Sequence, residues 1–227
     1  MTEALSPTTG WGVLHLFCKP RPDVDAEAVV AAVKAAHADD HQVVTFAVFG
    51  HKADLGFLAV GPDLWRLRSL QSALQAAGLD VVDSYVSLTE VSEYAAGMPP
   101  ERTEPRLHPR LPPDGKRAIC FYPMSKRRGE ADNWFALPYD ERERLMQGHG
   151  AVGRTFAGRV LQLVTGSTGL DDFEWGVTLF AVAPDDLKDV VYTMRFDPAS
   201  ARYAEFGPFY TGIVADVEDV LARLGMR

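Results

Sequence analysis

Apolar residues along this chain recur in two alternating patterns. Short, nearly continuous apolar runs bounded by Gly, Pro and Asp read as buried strands. Stretches with apolar residues three to four apart read as amphipathic helices. The pattern predicts a strand over Trp11–Phe17, a helix over Val24–Ala38, strands over Gln42–Phe49 and Leu55–Val60, a helix over Asp63–Ala77 and a strand over Asp80–Glu90. That order is βαββαβ.

The second half repeats it. A strand is expected over Arg117–Tyr122, a helix over Tyr139–Thr155, strands over Arg159–Thr165 and Trp175–Val182, a helix over Asp185–Met194, a strand over Tyr203–Val214 and a closing helix over Asp216–Leu224. The two halves share a local signature. Phe57-Leu58-Ala59-Val60-Gly61-Pro62-Asp63 and Leu179-Phe180-Ala181-Val182-Ala183-Pro184-Asp185 both end an apolar run and open a helix with Pro-Asp. Between the halves, Gly97–Lys116 holds six of the fifteen prolines and has little apolar periodicity, so it reads as a linker. The expected organisation is an N-terminal ferredoxin-like unit over 1–96, a Pro-rich linker over 97–116 and a second such unit over 117–227. The fold class is α+β, two tandem βαββαβ units whose sheets lie side by side and approach a barrel. A hydrophobic ligand fits between a sheet face and the helices outside it.

Composition narrows the function. An apolar fraction of 47% in 227 residues is enough for a packed core, and a net charge of −8 offers no basic face for nucleic acid. Cys18 and Cys120 each sit inside an apolar run and read as small core residues, which suits a reducing cytoplasm. The start, MTEALSPTTGWG, lacks a basic segment followed by an apolar one, and no run reaches the ~20 apolar residues of a membrane span.

Candidate chemistry concentrates in the second half. His149 follows ERERLMQG between Gly148 and Gly150, with Leu145 and Met146 just before it. The glycines let a bulky group approach the backbone, and a helix C-cap accounts for the same pattern. Tyr122 ends an apolar strand, and Lys126 opens the basic triplet Lys126-Arg127-Arg128, either a carboxylate clamp or a solvated charge run. Trp134 and Trp175 suit a ligand wall or a core, and Gln162 is an amide among apolar residues that needs a partner. Among the other histidines, His15 reads as a satisfied core residue, while His37, His41 and His51 read as solvated. The His37 and His41 spacing suits zinc, but no third ligand accompanies it. TGSTGLDD lacks the lysine of a phosphate-binding loop and reads as a turn between strands.

Four linked motifs, YPMSK, HGxxGR, TGSxGxDDxEWGVTLFA and MRFDxxSARYxEFG, occur in order. Together they resemble the chlorite dismutase superfamily, and within it the actinobacterial branch of the coproheme decarboxylases. The resemblance covers essentially the whole chain and is strongest over 118–212. It implies paired ferredoxin-like subdomains in a homopentamer, with the tetrapyrrole in the C-terminal half. The reaction implied is peroxide-dependent removal of two propionates of iron coproporphyrin III (coproheme) as carbon dioxide, giving the vinyls of haem b. His149 then matches the iron ligand, and Tyr122 the tyrosine whose radical takes a hydrogen from the propionate. Lys126 matches the lysine that orients the carboxylate, Ser200 a propionate-binding hydroxyl, Gln162 a distal-side amide, and Met124 and Trp134 contacts to the porphyrin. His108, in LHPR, resembles a distal histidine that passes the proton of hydrogen peroxide; a solvated linker histidine, or an inward Arg106 or Arg110, are the alternatives. A transient contact with a ferrochelatase-type donor is also implied. Chlorite dismutase, haem peroxidase and non-catalytic haem carrier are the competing functions.

Overall fold

The computed structural model describes residues 3–37, 40–95 and 97–226. Its N-terminal unit comprises β1 (Gly12–Pro20), α1 (Ala26–Ala36), β2 (Gln42–Val48), β3 (Leu55–Gly61), α2 (Leu64–Ala76) and β4 (Leu79–Thr89). Helix α3 (Pro100–Leu107) follows, then β5 (Ala118–Lys126), α4 (Tyr139–Arg154), β6 (Val160–Gly166), β7 (Trp175–Ala181) and α5 (Pro184–Met194). The chain ends with α6 (Pro198–Tyr203), β8 (Ala204–Phe206), β9 (Tyr210–Val214) and α7 (Val217–Arg223).

The strands run in the order β7-β6-β4-β1-β3-β2-β9-β5-β8, and β7 also pairs with β5. The sheet therefore closes on itself as an antiparallel barrel, with β8 prolonging the edge of β5 that β9 occupies. Within each half the order is that of a ferredoxin-like unit: β4-β1-β3-β2, then β6-β7-β5-β9. The joints between halves are short, Leu88↔Gly166 and Thr89↔Thr165 on one side and Phe46↔Val214 to Val48↔Gly212 on the other.

Side chains divide between the barrel's interior and its outer faces, because successive residues of a strand point to opposite sides. Phe17, Phe46, Phe121, Phe180 and Tyr210 fill the interior. Outside, α1, α2 and α7 cover the N-terminal sheet through Val29, Leu70 and Val220. On the C-terminal sheet, α5 packs Leu187 and Val190 against Cys120, Tyr122 and Leu179.

Several sequence expectations are corrected. The linker contains α3, a helix with no buried residue, whose last carbonyl accepts from the Thr89 hydroxyl at 2.8 Å. The strand expected over Tyr203–Val214 is broken into the end of α6, β8 and β9. Helix α1 stops at Ala36, and Ala38 and Asp39 lie outside the described residues. His41 is buried, its Nε2 3.1 Å from the Asp63 amide at the start of α2, and no helix relates it to His37, so the zinc spacing is gone. His15 is buried but only half satisfied: Nε2 meets the Thr178 hydroxyl at 2.8 Å, whereas Nδ1 has no partner among the described residues.

Candidate functional site

The outer face of the C-terminal sheet is built in rows. Tyr122, Val177 and Val164 lie side by side, as do Cys120, Leu179 and Gln162, because directly paired residues share a face. Helix α5 buries the β5 and β7 members of these rows, yet Gln162 and Val164 on β6 are exposed, Val164 by 39%. Helix α4 should close over them and does not. It has no buried residue and makes its main contacts with α5, α6 and the turn at Glu93–Ala95. The uncovered outer face of β6, bearing Gln162 and Val164, is the candidate cleft.

His149 projects from α4. The helix continues past it to Arg154, so the C-cap reading fails. Its Nδ1–H donates to Asp197 Oδ2 at 2.8 Å, and the Ser200 Oγ lies 3.4 Å from the same nitrogen. Asp197 is buried, and its side chain also accepts from the Ser200 amide at 3.1 Å, capping α6. The carboxylate thus fixes the ring and its tautomer, leaving Nε2 with a free lone pair. That is the arrangement expected of a metal-binding histidine held from behind by a carboxylate. Sequence reading missed Asp197. Its signal was present as Asp197-Pro198-Ala199-Ser200, an N-cap followed by Pro at the first helical position.

Lys126 is buried at 8% exposure, above the Trp134 ring at 4.3 Å, with Nζ donating to the Ala199 carbonyl at 3.0 Å. Burial lowers its pKa to about 8 against the pull of Asp197 and Glu174. Glu174 anchors the strand end, accepting from the Lys126 amide at 2.8 Å and from Arg128. Trp134 is itself buried, packed edge-on against Tyr203 at 5.3 Å, so it supports Lys126 from beneath.

Tyr122 stacks on Phe209 at 4.5 Å and meets Phe206 edge-on at 5.5 Å. Burial, with the Cys120 sulfur next, raises its pKa, keeping the phenol protonated. Among the described residues no protein group hydrogen-bonds its hydroxyl, although Tyr122 is only 8% exposed. Met124 sits one row on, paired with Trp175 and Phe206.

Tyr122, Gln162, Lys126, Trp134, His149 and Ser200 thus belong to one quarter of the molecule. His108 belongs elsewhere in the contacts it makes: Nδ1 lies 2.6 Å from Glu104 Oε1, and the ring packs on Trp11 at 4.9 Å. Arg106 bonds back to its own helix at the Arg102 carbonyl, 3.1 Å away. Among the described residues no group of three or more His, Cys, Asp and Glu side chains is spaced to hold a metal ion. The His149 Nε2 is suited instead to a metal that arrives with its own equatorial ligands, as in a tetrapyrrole.

The chain is similar to several known proteins. A family model described as chlorite dismutase matches residues 24–215. The coproheme decarboxylase of Staphylococcus carnosus is 40% identical, over 96% of this chain and 97% of that protein. A Natronomonas pharaonis protein named as heme-binding is 41% identical over 89% of this chain, which spans only 39% of that protein's length. The solved structure of a heme-binding protein from Thermus thermophilus superposes with a TM-score of 0.85 at 38% identity, over 99% of this chain and 100% of that one.

Proposed function

This chain belongs to the chlorite dismutase family, and from that premise we propose that it is a coproheme decarboxylase, which converts two propionates of iron coproporphyrin III to vinyl groups and yields haem b. For each propionate, R–CH2–CH2–COOH and one hydrogen peroxide give R–CH=CH2, carbon dioxide and two waters. The substrate brings its own iron, which reacts with peroxide and supplies the oxidising power.

The observation that carries this reading is that His149 on α4 is held from behind by the buried Asp197 with its Nε2 left free, while Tyr122 and Lys126 stand on one face of β5. His149 holds the iron through Nε2 while Asp197 keeps the proton on Nδ1 and strengthens the ring as a donor. Lys126 pairs with the reacting carboxylate, its position set by Ala199 and Trp134. Tyr122 removes a hydrogen atom from the propionate carbon next to the ring. It can do so only as the neutral phenoxyl, formed when its hydroxyl, protonated at rest, gives its electron to the oxidised substrate iron and its proton to water in the cleft; taking the propionate hydrogen then restores the phenol. Loss of carbon dioxide and of one further electron leaves the vinyl group. Gln162 faces the cleft as a polar contact, Met124 lines it beside Tyr122, and the Ser200 hydroxyl is offered to a second propionate.

His108 is carried into this reading by the family resemblance alone, as the group that would move the peroxide proton, since its contacts in the structure are with Glu104 and Trp11 and not with Tyr122, Lys126 or His149. Glu104 fixes its Nδ1 proton and leaves Nε2 to accept another. A homopentamer, a cytoplasmic location and a passing contact with a ferrochelatase-type donor complete the expected setting. Among the described residues no helix is long and apolar enough to cross a membrane.

The test is the mass of the porphyrin. Protein loaded with coproheme and given peroxide is expected to lose two carboxyl groups in steps through a three-propionate species. Rapid oxygen release from chlorite with the porphyrin unchanged assigns the chain to the dismutases. Equal affinity for coproheme and haem b with no mass change assigns it to the carriers.

A further inference from the structure

Tyr122 is not the only buried tyrosine near the cleft. The ring it stacks on belongs to Phe209, and the next residue is Tyr210. Tyr210 lies opposite Phe121 in the β5–β9 register, so it occupies the strand beside Tyr122 but points into the barrel. Strand geometry sets the Tyr122 and Tyr210 Cα atoms roughly 6 Å apart. The side chains leave opposite faces of the sheet, so the two rings stand farther apart than the Cα atoms, separated by the backbone of two hydrogen-bonded strands through which the electron must pass.

The two phenols differ in one respect. Among the described residues Tyr122 has no protein partner for its proton, whereas Tyr210 donates its hydroxyl proton to Asp83 Oδ2 across the barrel. The Tyr210 ring stacks on Phe17 at 3.6 Å and is buried. Lys52 stands 5.5 Å over that ring and donates to the Phe209 carbonyl at 2.7 Å. A cation over the ring opposes a positively charged tyrosine radical, so oxidation there requires the proton to leave with the electron. Asp83 is positioned to take it.

We propose that Tyr210 is a second redox-active tyrosine, which fills the electron vacancy on Tyr122 when no propionate stands ready to react, with Asp83 as its positioning residue and proton acceptor. This rests on the decarboxylase reading, in which peroxide acting on the substrate iron oxidises Tyr122. The step balances. Tyr210 loses an electron to Tyr122 and its proton to Asp83, becoming a neutral radical. Tyr122 gains that electron and takes a proton from water in the cleft, returning to the phenol. The vacancy is parked in the barrel interior, away from the porphyrin, until a small-molecule thiol from solution returns an electron to the Tyr210 radical and Asp83 returns the proton. The need is greatest once haem b has formed, when the reacting propionates are gone and peroxide still arrives.

The experiment uses the full chain loaded with haem b, mixed with peroxide and frozen within milliseconds for high-field electron paramagnetic resonance. A parallel coproheme sample is analysed by porphyrin mass. The wild type is expected to show a tyrosyl radical with the g-tensor of a strongly hydrogen-bonded phenoxyl. Tyr210→Phe removes that component and increases covalent oxidation of the Tyr122 peptide several-fold. Asp83→Asn, which keeps the ring and serves if the first variant folds poorly, shifts the g-tensor or abolishes the signal. A Soret titration with coproheme checks that each variant is folded. A radical spectrum and a Tyr122 oxidation level unchanged in both variants, with coproheme still decarboxylated, overturn the proposal and leave the function standing. Coproheme that is not decarboxylated at all removes the decarboxylase reading, and the proposal with it.

Discussion

The Nδ1–H of His149 and the buried carboxylate of Asp197 meet at 2.8 Å, and the same carboxylate caps α6 through the Ser200 amide at 3.1 Å. One acidic side chain therefore fixes both the tautomer of the iron ligand and the helix that carries Ser200. Asp197→Asn keeps the hydrogen-bond geometry but removes the charge behind the ring. The expected result is a 10- to 100-fold loss of coproheme affinity, on the order found for such supporting groups, and a raised iron reduction potential. His149→Ala is expected to abolish the histidine-ligated spectrum altogether. Spectroelectrochemistry of the loaded variants checks both.

Lys126 makes substrate binding depend on pH. Burial has brought its pKa down to about 8, so the side chain is an ammonium below that pH and a neutral amine above it. Only the ammonium pairs with a carboxylate, whereas the porphyrin propionates stay ionised throughout. Coproheme affinity is therefore full below about 8 and falls as the pH rises through it, by up to about tenfold per unit for this contact. In Lys126→Met the affinity is lower and flat between pH 7 and 9. Soret titrations across that range make the comparison.

His108→Ala separates proton transfer from binding. If the Glu104-paired imidazole moves the peroxide proton, the variant binds coproheme normally and reacts with peroxide about 100-fold more slowly, the usual size of a general acid–base contribution. Stopped-flow mixing reads the second-order rate. A rate equal to that of the wild type removes His108 from the mechanism.

Acid sensitivity is expected to come from the barrel interior. His15 is wholly buried, and desolvation lowers its pKa to about 3 from an ordinary value near 6.5. The unfolded chain therefore takes up a proton that the folded one refuses. Stability is at its full value above about pH 6.5 and falls as the pH drops toward 3, by about 1.4 kcal/mol per unit. His15→Gln, which can still meet Thr178, is expected to lose less stability between pH 7 and 5, by about 2 kcal/mol. Denaturant melts at the two pH values give the difference.

Which features were legible in the sequence follows from what is local and what is not. Strand and helix positions in both halves were readable because apolar period and Pro-Asp helix starts are local signals; Asp63 caps α2 by accepting from the Trp65 amide as that motif implies. Helix α3 was not, because it buries nothing and carries Pro105 inside it, so it shows no apolar stripe. The break between Tyr203 and Val214 was hidden by a run rich in aromatic residues that suits a strand throughout. Tyr122, Lys126 and His149 were identified from linked motifs, yet the partners that give them their chemistry come from distant positions. Asp197 reaches His149 across 48 residues and Ala199 reaches Lys126 across 73. The Tyr210–Asp83 contact spans 127 residues and two halves of a closed barrel, which no local pattern encodes.

The most direct measurement compares the wild type and Tyr122→Phe, each loaded with coproheme and given stoichiometric peroxide, by mass spectrometry of the extracted porphyrin. The phenylalanine ring preserves the stack on Phe209 and the binding face while removing the hydroxyl hydrogen. The account predicts haem b from the wild type, and from the variant coproheme that is tightly bound but keeps all of its carboxyl groups. Haem b formed by Tyr122→Phe at the wild-type rate would contradict it.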